Sequence, residues 1–380
     1  MTDQRSIAAT FMRGGTSKGV FFRWEDMPGD AAERDGFLCA ALGSPDPYGR
    51  QLDGMGGGIS SLSKAMMVRR SEREGVDVDY LFAQIEVGRA TVDYASNCGN
   101  LSAAVGAFAV DQGFVQMPDG PTRVRMFNEN TEKRIDCHLT VRGGRAAVTG
   151  QQEIAGVAGT GSAIRLEFLD PGGARTGKLL PMDTPQEGFY PVDNDTKIDT
   201  SFVDAANPCI FVGAAGLGLT ACELPGEIAA NTHAMDVLER FRRAQGAVAG
   251  FGERWEDVPE SAPKIAIIGP PSDSQMLTGE TLRAEDCDIQ VRMISMGQPH
   301  LAIPLTGAMC TAVAARIPGT VVAACARDLP QGQPLRIGTA SGVVPAMAEV
   351  DLSGPEPCAI SASVYRTART LMEGKVFATL

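Results

Sequence analysis

The sequence contains no apolar run that approaches the roughly 18 residues needed to cross a bilayer. Its first residues, MTDQRSIAATFMRGG, lack the charged and then apolar pattern of a secretory signal. Positive charge is also in deficit: the formal net charge is -12, which repels nucleic acid and acidic membrane surfaces. We therefore expect a cytoplasmic protein that binds neither nucleic acid nor membranes. A few cations and N-H groups that converge in a cleft can still bind a carboxylate.

Histidine is scarce, and closely spaced cysteine pairs are absent. The three histidines (His138, His233 and His300) never occur in H-E-x-x-H spacing, and the nine cysteines include no C-x-x-C pair. A zinc ribbon, a His-based metal site and a disulfide framework are therefore all disfavoured. The sequence predicts no metal ion.

The chain has 380 residues, of which 44% are hydrophobic and 21% charged, which is the composition of a globular protein and the length of two ordinary domains. Short segments rich in Val, Ile and Phe alternate with turn residues, and many of them are predicted strands. These segments are residues 6–12, 18–24, 78–87, 122–128, 146–150, 163–170, 208–214, 264–269, 289–296 and 320–325. The clearest predicted helices are residues 100–112, 227–247 and 307–315.

A polar segment with two prolines, residues 182–201, is the predicted connection between the domains, with the boundary near residue 183. A similar small-residue helix occurs on either side, SNCGNLSAAVGAFAV and PLTGAMCTAVAARI. Aligning Ser102 with Thr311 sets Cys98 opposite Gly307. Internal duplication and chance similarity of two alanine-rich helices both explain the match; duplication would place two helix N-termini face to face across a cleft.

The segment from Arg13 to Lys18, RGGTSK, combines two cations, two hydroxyls and glycines in one turn. Its backbone N-H groups and Arg13 suit an anion, and a guanidinium binds a carboxylate through two hydrogen bonds. A tight turn, whose glycines serve backbone geometry alone, explains the same residues.

Lys64 ends the glycine-rich segment DGMGGGISSLSK and directly precedes the apolar residues 65–68. A lysine desolvated at such a junction has a lowered pKa and can act as a proton-transferring base. The alternative is a surface lysine whose stem covers apolar neighbours.

Cys98 stands directly before the predicted helix 100–112, where unpaired N-H groups and the helix dipole favour a thiolate. A catalytic or substrate-lining role follows, whereas the other cysteines, Cys310 included, are predicted to be small buried side chains.

Ser295 and His300 lie in a turn after a predicted strand and are candidate ligand contacts. Arg366 and Arg369 are expected to be solvated.

Read together, these segments resemble the PrpF family of isomerases, which are relatives of diaminopimelate epimerase. The resemblance covers nearly the whole chain. It rests on MRGGTSKGVFF, LGSPDPYG, DGMGGGISSLSK, VDYLFAQ, SNCGNLSAAVGAFA, ISMG, TGAMCTAVAARIPGT and RTARTLMEG.

The resemblance implies an α/β fold of two similar domains, residues 1–183 and 184–364, with the strand 365–380 completing the first. Each domain would be a rolled, mostly antiparallel sheet around a central helix, with the active site between the domains. It further implies an isomerase without cofactor or metal that acts on an unsaturated di- or tricarboxylate such as 2-methylaconitate, methylitaconate or 4-oxalomesaconate. A homodimer is one expected assembly.

By the same resemblance, Lys64 matches the essential lysine and Cys98 the active-site cysteine. The substrate-binding residues implied in this way are Arg13, Thr16, Ser17, Lys18, Asn97, Gly99, Asn100, Ser295, Met296 and Gly297. Ser61, His300, Thr306, Gly307 and Ser341 are further candidates for substrate binding, which their own residue types and positions suggest. Gly307 stands where related epimerases have a second thiol, which makes Lys64 the principal base. Residues 339–342, TASG, depart from the His-Pro-Ser-Gly of the 2-methylaconitate branch, so the substrate stays open.

Two other functions are consistent with the sequence. The first is an accessory or binding protein for an aconitase-like dehydratase, although the complete Lys64 and Cys98 pair counts against it. The second is an amino-acid epimerase, which the missing second thiol disfavours.

Overall fold

The computed structural model describes residues 3–94, 98–154, 156–189 and 197–379. The chain forms two compact units: unit 1 comprises residues 1–167 and 365–380, and unit 2 comprises residues 168–364. The change of unit comes at Phe168 rather than near residue 183, because the segment after Phe168 bonds within unit 2. Gly173 N-H donates to the carbonyl of Asp204, and Asp204 N-H donates to the carbonyl of Leu179, at 2.8 and 2.9 Å.

The first eleven strands are β1 (Arg5–Gly14), β2 (Ser17–Arg23), β3 (Lys64–Arg70), β4 (Val78–Ile85), β5 (Val92–Asp93), β6 (Gly120–Asn128), β7 (Lys133–Arg142), β8 (Arg145–Ala146), β9 (Gln152–Ile154), β10 (Val157–Gly161) and β11 (Ile164–Leu169). The others are β12 (Glu187–Phe189), β13 (Ile198–Ala205), β14 (Asn207–Gly213), β15 (Lys264–Gly269), β16 (Ser274–Gln275), β17 (Thr281–Leu282), β18 (Ile289–Ser295), β19 (Gln298–Pro299), β20 (Leu335–Thr339), β21 (Gly342–Asp351), β22 (Cys358–Arg366) and β23 (Ala368–Ala378). The α-helices are α1 (Ala31–Leu42), α2 (Gly99–Asp111), α3 (Pro225–Ala230), α4 (Thr232–Val248), α5 (Leu305–Ala314) and α6 (Val321–Cys325). Short 3-10 helices cover Trp24–Asp26, Ser60–Leu62, Ala214–Leu217, Trp255–Asp257 and Ala284–Asp286.

The predicted helices at α2 and α5 are confirmed, and three other predictions of secondary structure need correction. The strand predicted at 320–325 is wrong, because Thr320 caps a short helix there by accepting from the N-H of Ala323 at 3.0 Å. Asn231 interrupts the long predicted helix and caps α4 in the same way. Helix α1, which starts after Asp30, was not among the predicted helices. Across the described ranges, no helix combines the length and apolar character that crossing a bilayer demands.

Unit 1 is a mostly antiparallel sheet that surrounds α2. The hairpin β1–β2 continues with β3 parallel to β2, β4 antiparallel to β3, β6 parallel to β4 and β7 antiparallel to β6. The C-terminal strand β23 lies along β1. Residues 101–110 of α2 are all buried, as expected of a helix that is apolar on every face. This helix packs on β1, β2, β3, β6 and β7 and forms the centre of the unit.

Unit 2 repeats this order of pairing. The hairpin β13–β14 continues with β15 parallel to β14, β18 antiparallel to β15, β20 parallel to β18 and β21 antiparallel to β20. The buried helix α5 packs on β13, β14 and β21. The predicted fold class, two similar α/β domains built around central helices, is therefore confirmed.

The two central helices also share a local hydrogen bond. Ser102 Oγ donates to the carbonyl of Cys98 at 3.1 Å, and Thr311 Oγ1 donates to the carbonyl of Gly307 at 2.8 Å. This is the alignment that the sequence suggested, and the common strand order supports internal duplication over chance similarity.

Candidate active site

Lys64 is the first residue of β3 and only 8% exposed. Its amine donates a hydrogen bond to Oε1 of Gln84 and lies 4.9 Å from the centre of the Phe82 ring. Burial lowers the pKa of Lys64, because an ammonium loses hydration when it leaves water. The junction of a polar turn with a buried strand therefore places an amine where burial disfavours its charged form.

Gln84 holds the lysine amine in one direction. Lys64 and Gln84 face each other in the β3–β4 register. The amide nitrogen of Gln84 donates to the carbonyls of Ser63 and Ser60, at 2.8 and 3.1 Å. Since the nitrogen faces two carbonyls, the amide oxygen is turned toward Lys64. Gln84 was not predicted, because its contact with Lys64 depends on a cross-strand register that the sequence does not display.

Cys98 lies directly before α2 and is 8% exposed. Its thiol sulfur is 3.9 Å from Oγ of Ser17, a buried residue at the start of β2. A negative charge on Cys98 opposes the effect of burial by raising the pKa of Lys64. The structure thus brings Ser17, Lys64 and Cys98 together at the N-terminus of α2, where N-H groups favour negative charge.

The β1–β2 turn lies against the start of α2. A Cβ atom on Gly14 would be 2.5 Å from the carbonyl oxygen of Asn100, and one on Gly15 would be 2.3 Å from its Oδ1. Glycine is therefore required at both positions for this close approach. Arg13 fastens the turn, because its Nη1 donates to the carbonyls of Gly15 and Thr367, both at 3.0 Å. Desolvation, and then the charge of Arg369, lower the pKa of Arg13.

Arg366, which was expected to be solvated, lies beside Asn100 at the start of α2. Its Nε donates to Oδ1 of Asn100 at 3.1 Å, and its Nη1 donates to the carbonyl of Tyr365 at 2.8 Å. Burial lowers the pKa of Arg366 to about 10. Among the ion pairs formed by the described residues, none includes Arg366 or Arg13. Both cations remain available to an anionic ligand.

Other predicted residues of unit 1 are placed differently. Lys18 follows Ser17 on β2, and neighbouring side chains of a strand point to opposite faces; the Lys18 amine lies 5.8 Å from the centre of the Phe11 ring. The structure therefore does not bring Lys18 to Cys98. Thr16 is exposed in the β1–β2 turn, and Ser61 lies half-buried in the 3-10 helix before Lys64. Gly99 is the first residue of α2. Asn97 lies outside the described residues.

In unit 2, the predicted residues Ser295, Met296 and Gly297 form the tight turn between β18 and β19. Met296 and Gly297 have positive φ values of 53° and 70°, and the side chain of Met296 is exposed. Ser295 Oγ accepts a hydrogen bond from the amine of Lys264 at 2.7 Å. The sequence analysis did not single out Lys264.

His300, Ser341 and the start of α5 complete the predicted set in unit 2. Nδ1 of His300 accepts from the N-H of Ala302 at 3.1 Å, and Ser341 Oγ donates to the carbonyl of Leu301 at 2.8 Å. His300 and Ser341 are thus held against the same short segment. The pKa of His300 is lowered, first by desolvation and also by the charge of Lys264.

Thr306 and Gly307 are the second and third residues of α5, which begins two residues earlier than predicted. Their N-H groups belong to the first helical turn, which has no acceptors within the helix. Gly307 is buried, and a Cβ there would be 2.5 Å from the sulfur of Met293. Close packing of the helix on β18 therefore explains a glycine at this position.

One group of described residues could hold a metal ion by geometry: Asp136, His138 and Glu167 in unit 1. Arg123 already bonds Asp136 at 3.1 Å, and Arg165 bonds Glu167 at 3.2 Å. His138 is itself 2.8 Å from Glu167. Cations balance both carboxylates, so this group is an ion-pair network, and the absence of a metal stays a prediction.

Comparison with known proteins gives matches over almost the whole chain. The family model described as PrpF protein matches residues 4–379. The 3-methylitaconate isomerase of Eubacterium barkeri is 38% identical, over 99% of this chain and 98% of that protein. The 2-methyl-aconitate isomerase of Shewanella oneidensis and the (4E)-oxalomesaconate Delta-isomerase of a Novosphingobium species are each 38% identical, over 98% of this chain and 97% of each relative.

Solved structures match as well. The crystal structure of a methylitaconate-delta-isomerase has a TM-score of 0.94 and 37% identity, and the match covers 100% of this chain and 97% of that chain. A hydroxyproline epimerase from Agrobacterium vitis has a TM-score of 0.50 and 10% identity, over 99% of this chain and 94% of the other. At that identity the likeness concerns the fold alone, and it agrees with the predicted epimerase-like architecture.

Proposed function

This chain belongs to the PrpF family, and from that premise we propose that it isomerises a small unsaturated di- or tricarboxylic acid. The reaction removes a proton from carbon and returns it, and it needs neither a metal ion nor an organic cofactor. The observation that carries the proposal is the buried amine of Lys64, which Gln84 orients and whose electrostatic neighbour is Cys98. Such an amine is a base for carbon acids at moderate pH.

In the proposed mechanism, neutral Lys64 takes a proton from the carbon next to the conjugated alkene. The C-H electron pair enters the conjugated system and gives a dienolate. The N-H groups of Gly99 and Asn100 at the start of α2 stabilise this negative charge; a well-placed donor of this kind contributes about 3–4 kcal/mol. In unit 2, Thr306 and Gly307 have N-H groups of the same kind at the start of α5. Lys64 or Cys98 then returns a proton. Return to another carbon shifts the double bond, whereas return to the same carbon after rotation gives cis-trans exchange.

The substrate carboxylates are assigned to cations, hydroxyls, an amide and an imidazole. In unit 1 these are Arg13, Thr16, Ser17, Ser61 and Asn100, together with Arg366. In unit 2 they are Ser295, His300 and Ser341, with Met296 and Gly297 forming the adjoining turn. Lys18 and Asn97 remain predictions from the sequence. The relatives act on methylitaconate, 2-methylaconitate and oxalomesaconate according to their names, and we propose a substrate of this class.

A panel of these acids tests the function. Each acid is incubated with the protein, and loss or gain of ultraviolet absorbance reports the change in conjugation. Proton NMR in heavy water identifies the carbon that exchanges. Turnover of at least one unsaturated acid is expected. Absence of turnover, together with a stable complex with an aconitase-like dehydratase, would favour the accessory role instead, and exchange at the alpha carbon of diaminopimelate or proline derivatives would favour an epimerase.

Location and assembly are part of the same proposal. All nine cysteines are free thiols, which suits the reducing cytoplasm. We propose a cytoplasmic enzyme without nucleic acid or membrane partners. A homodimer stays a prediction that light scattering of the purified protein tests.

Replacing Cys98 by alanine is expected to lower kcat about tenfold while the fold is kept. The thiol makes no capping bond to α2, so its loss leaves the helix start intact, whereas the reacting carbon loses a nearby proton donor. Steady-state kinetics and the melting temperature measure the two effects. Cys98→Ser is the matched control, since it keeps a small O-H donor. A Cys98→Ala enzyme with the wild-type kcat would remove the thiol from the reaction.

Replacing Arg366 by methionine is expected to raise KM about tenfold or more, because hydrogen bonds from a charged donor to a carboxylate contribute about 1.5–3 kcal/mol. Arg366→Lys should recover part of the affinity, since it restores the charge without the planar guanidinium. Substrate titration of all three proteins measures this. An unchanged KM in Arg366→Met would show that this guanidinium serves only Asn100 and the turn.

A further inference from the structure

Unit 2 contains a lysine at the position that Lys64 occupies in unit 1. Lys64 is the first residue of β3, and Lys264 is the first residue of β15. β3 and β15 take the same place in the repeated strand order, because each runs parallel to the second strand of a hairpin and antiparallel to the strand that follows. Lys264 is therefore the topological equivalent of Lys64.

The equivalence extends to the side-chain contacts. The Lys64 amine donates to Gln84, the residue directly opposite on the next strand. In β15, Ile265 pairs with Ile294, which sets Lys264 opposite Ser295, and its amine donates to Ser295 Oγ at 2.7 Å. Two lysines that are far apart in the sequence thus end in the same cross-strand arrangement.

The surroundings of Lys264 are short of negative charge. None of the ion pairs among the described residues includes Lys264, and its positive charge lowers the pKa of His300. The hydrogen-bond partner of its amine is a neutral hydroxyl. A half-buried ammonium beside a hydroxyl and an imidazole, without a carboxylate, is the arrangement that an anionic ligand completes.

The residues at the starts of α2 and α5 differ, and this difference distinguishes the surroundings of the two lysines. In unit 1, Cys98 precedes α2 and interacts with Lys64, whereas Gly307 occupies the aligned position in α5. The thiol that interacts with Lys264 is Cys209, which is fully buried on β14. Lys264 is also more exposed than Lys64, and burial lowers the pKa of both lysines. These differences favour binding over proton transfer.

We propose that Lys264, together with Ser295, binds a carboxylate group of the substrate. This inference rests on the proposed function and adds a residue that fixes which acids are accepted. Because the ammonium is a point charge held by one hydroxyl, its role is to bind a carboxylate rather than to remove a proton from carbon.

Two matched variants test the role of charge. Lys264→Gln keeps a donor for Ser295 but has no charge, and Lys264→Arg keeps the charge. If Lys264 binds a carboxylate, Lys264→Gln raises KM about tenfold or more while kcat stays within about threefold, and Lys264→Arg restores most of the affinity. A KM in Lys264→Gln equal to that of the wild type would overturn the proposal, and so would a loss of kcat at unchanged KM.

A binding measurement keeps this test separate from the isomerase test. Propane-1,2,3-tricarboxylate is saturated, so its binding can be followed by calorimetry without turnover. The wild-type protein is expected to bind it, Lys264→Gln about tenfold more weakly, and Lys264→Arg nearly as well as the wild type. Equal binding by wild type and Lys264→Gln, or no binding by the wild type, would refute the inference even if isomerisation is observed. Circular dichroism and melting temperatures establish that each variant is folded.

Discussion

Replacing Lys64 by methionine is expected to lower kcat at least about a thousandfold, within the range by which a general base accelerates proton transfer. Methionine keeps the length and apolar character of the stem, which lies beside Phe82. It removes the amine, so no group at this position can take a proton from carbon. The unfolding free energy should fall by only about 1–3 kcal/mol, since Gln84 loses one hydrogen-bond donor.

Lys64→Arg is the control that keeps the positive charge. A guanidinium stays protonated, so it can attract a carboxylate and yet cannot act as a base. Both variants should therefore be inactive, and neither should incorporate deuterium from heavy water into the substrate. Substrate binding should persist more strongly in Lys64→Arg than in Lys64→Met. Wild-type turnover in Lys64→Met would exclude the lysine from the reaction.

The local sequence indicated that Lys64 and Cys98 lie at element boundaries, and the resemblance to the PrpF family supplied their roles, which stay predictions. Lys64 could be recognised because a polar turn gives way to apolar residues at that position, and Cys98 because it precedes a helix of small residues. Both signals are contiguous in the chain, and the structure finds both residues buried at the expected element boundaries. The helix start itself was predicted to within a residue for α2.

Residues whose role depends on strand pairing escaped the sequence analysis. Gln84 and Lys264 acquire their partners from cross-strand registers, and Arg366 reaches Asn100 from the opposite end of the chain. The same limit applies to Lys18. Its side chain and that of Ser17 point to opposite faces of β2 although the two residues are neighbours in the sequence, and its role in substrate binding stays a prediction.

Capping explains the remaining differences in secondary structure. Residues 320–325, TVVAAC, have the β-branched composition of a strand, but Thr320 accepts from the N-H of Ala323 and starts a helix. Asp30 likewise caps α1 by accepting from the N-H of Glu33 at 2.9 Å. A single side-chain bond at the first residue can therefore outweigh the propensities of the residues that follow.

Replacing Gln84 by glutamate is expected to shift the pH dependence of the reaction to higher pH and to lower the rate at neutral pH about a hundredfold. The neutral amine is the active form, so kcat/KM rises with pH through the pKa of Lys64, which burial lowers. A carboxylate beside the amine stabilises the ammonium and raises that pKa. At neutral pH a larger fraction of Lys64 is then protonated and inactive, and each tenfold loss of neutral amine costs tenfold in rate.

The shape of the profile separates this electrostatic effect from structural damage. Glutamate cannot donate to the carbonyls of Ser60 and Ser63, and that loss lowers the rate equally at every pH. The loss caused by charge disappears at high pH, where Lys64 is again neutral. Gln84→Leu is the matched control, because it removes the hydrogen bonds to Ser60, Ser63 and Lys64 without adding charge, and its profile should not move to higher pH. If Gln84→Glu has the profile of Gln84→Leu, then the protonation of Lys64 does not limit the reaction, and another group must be the base.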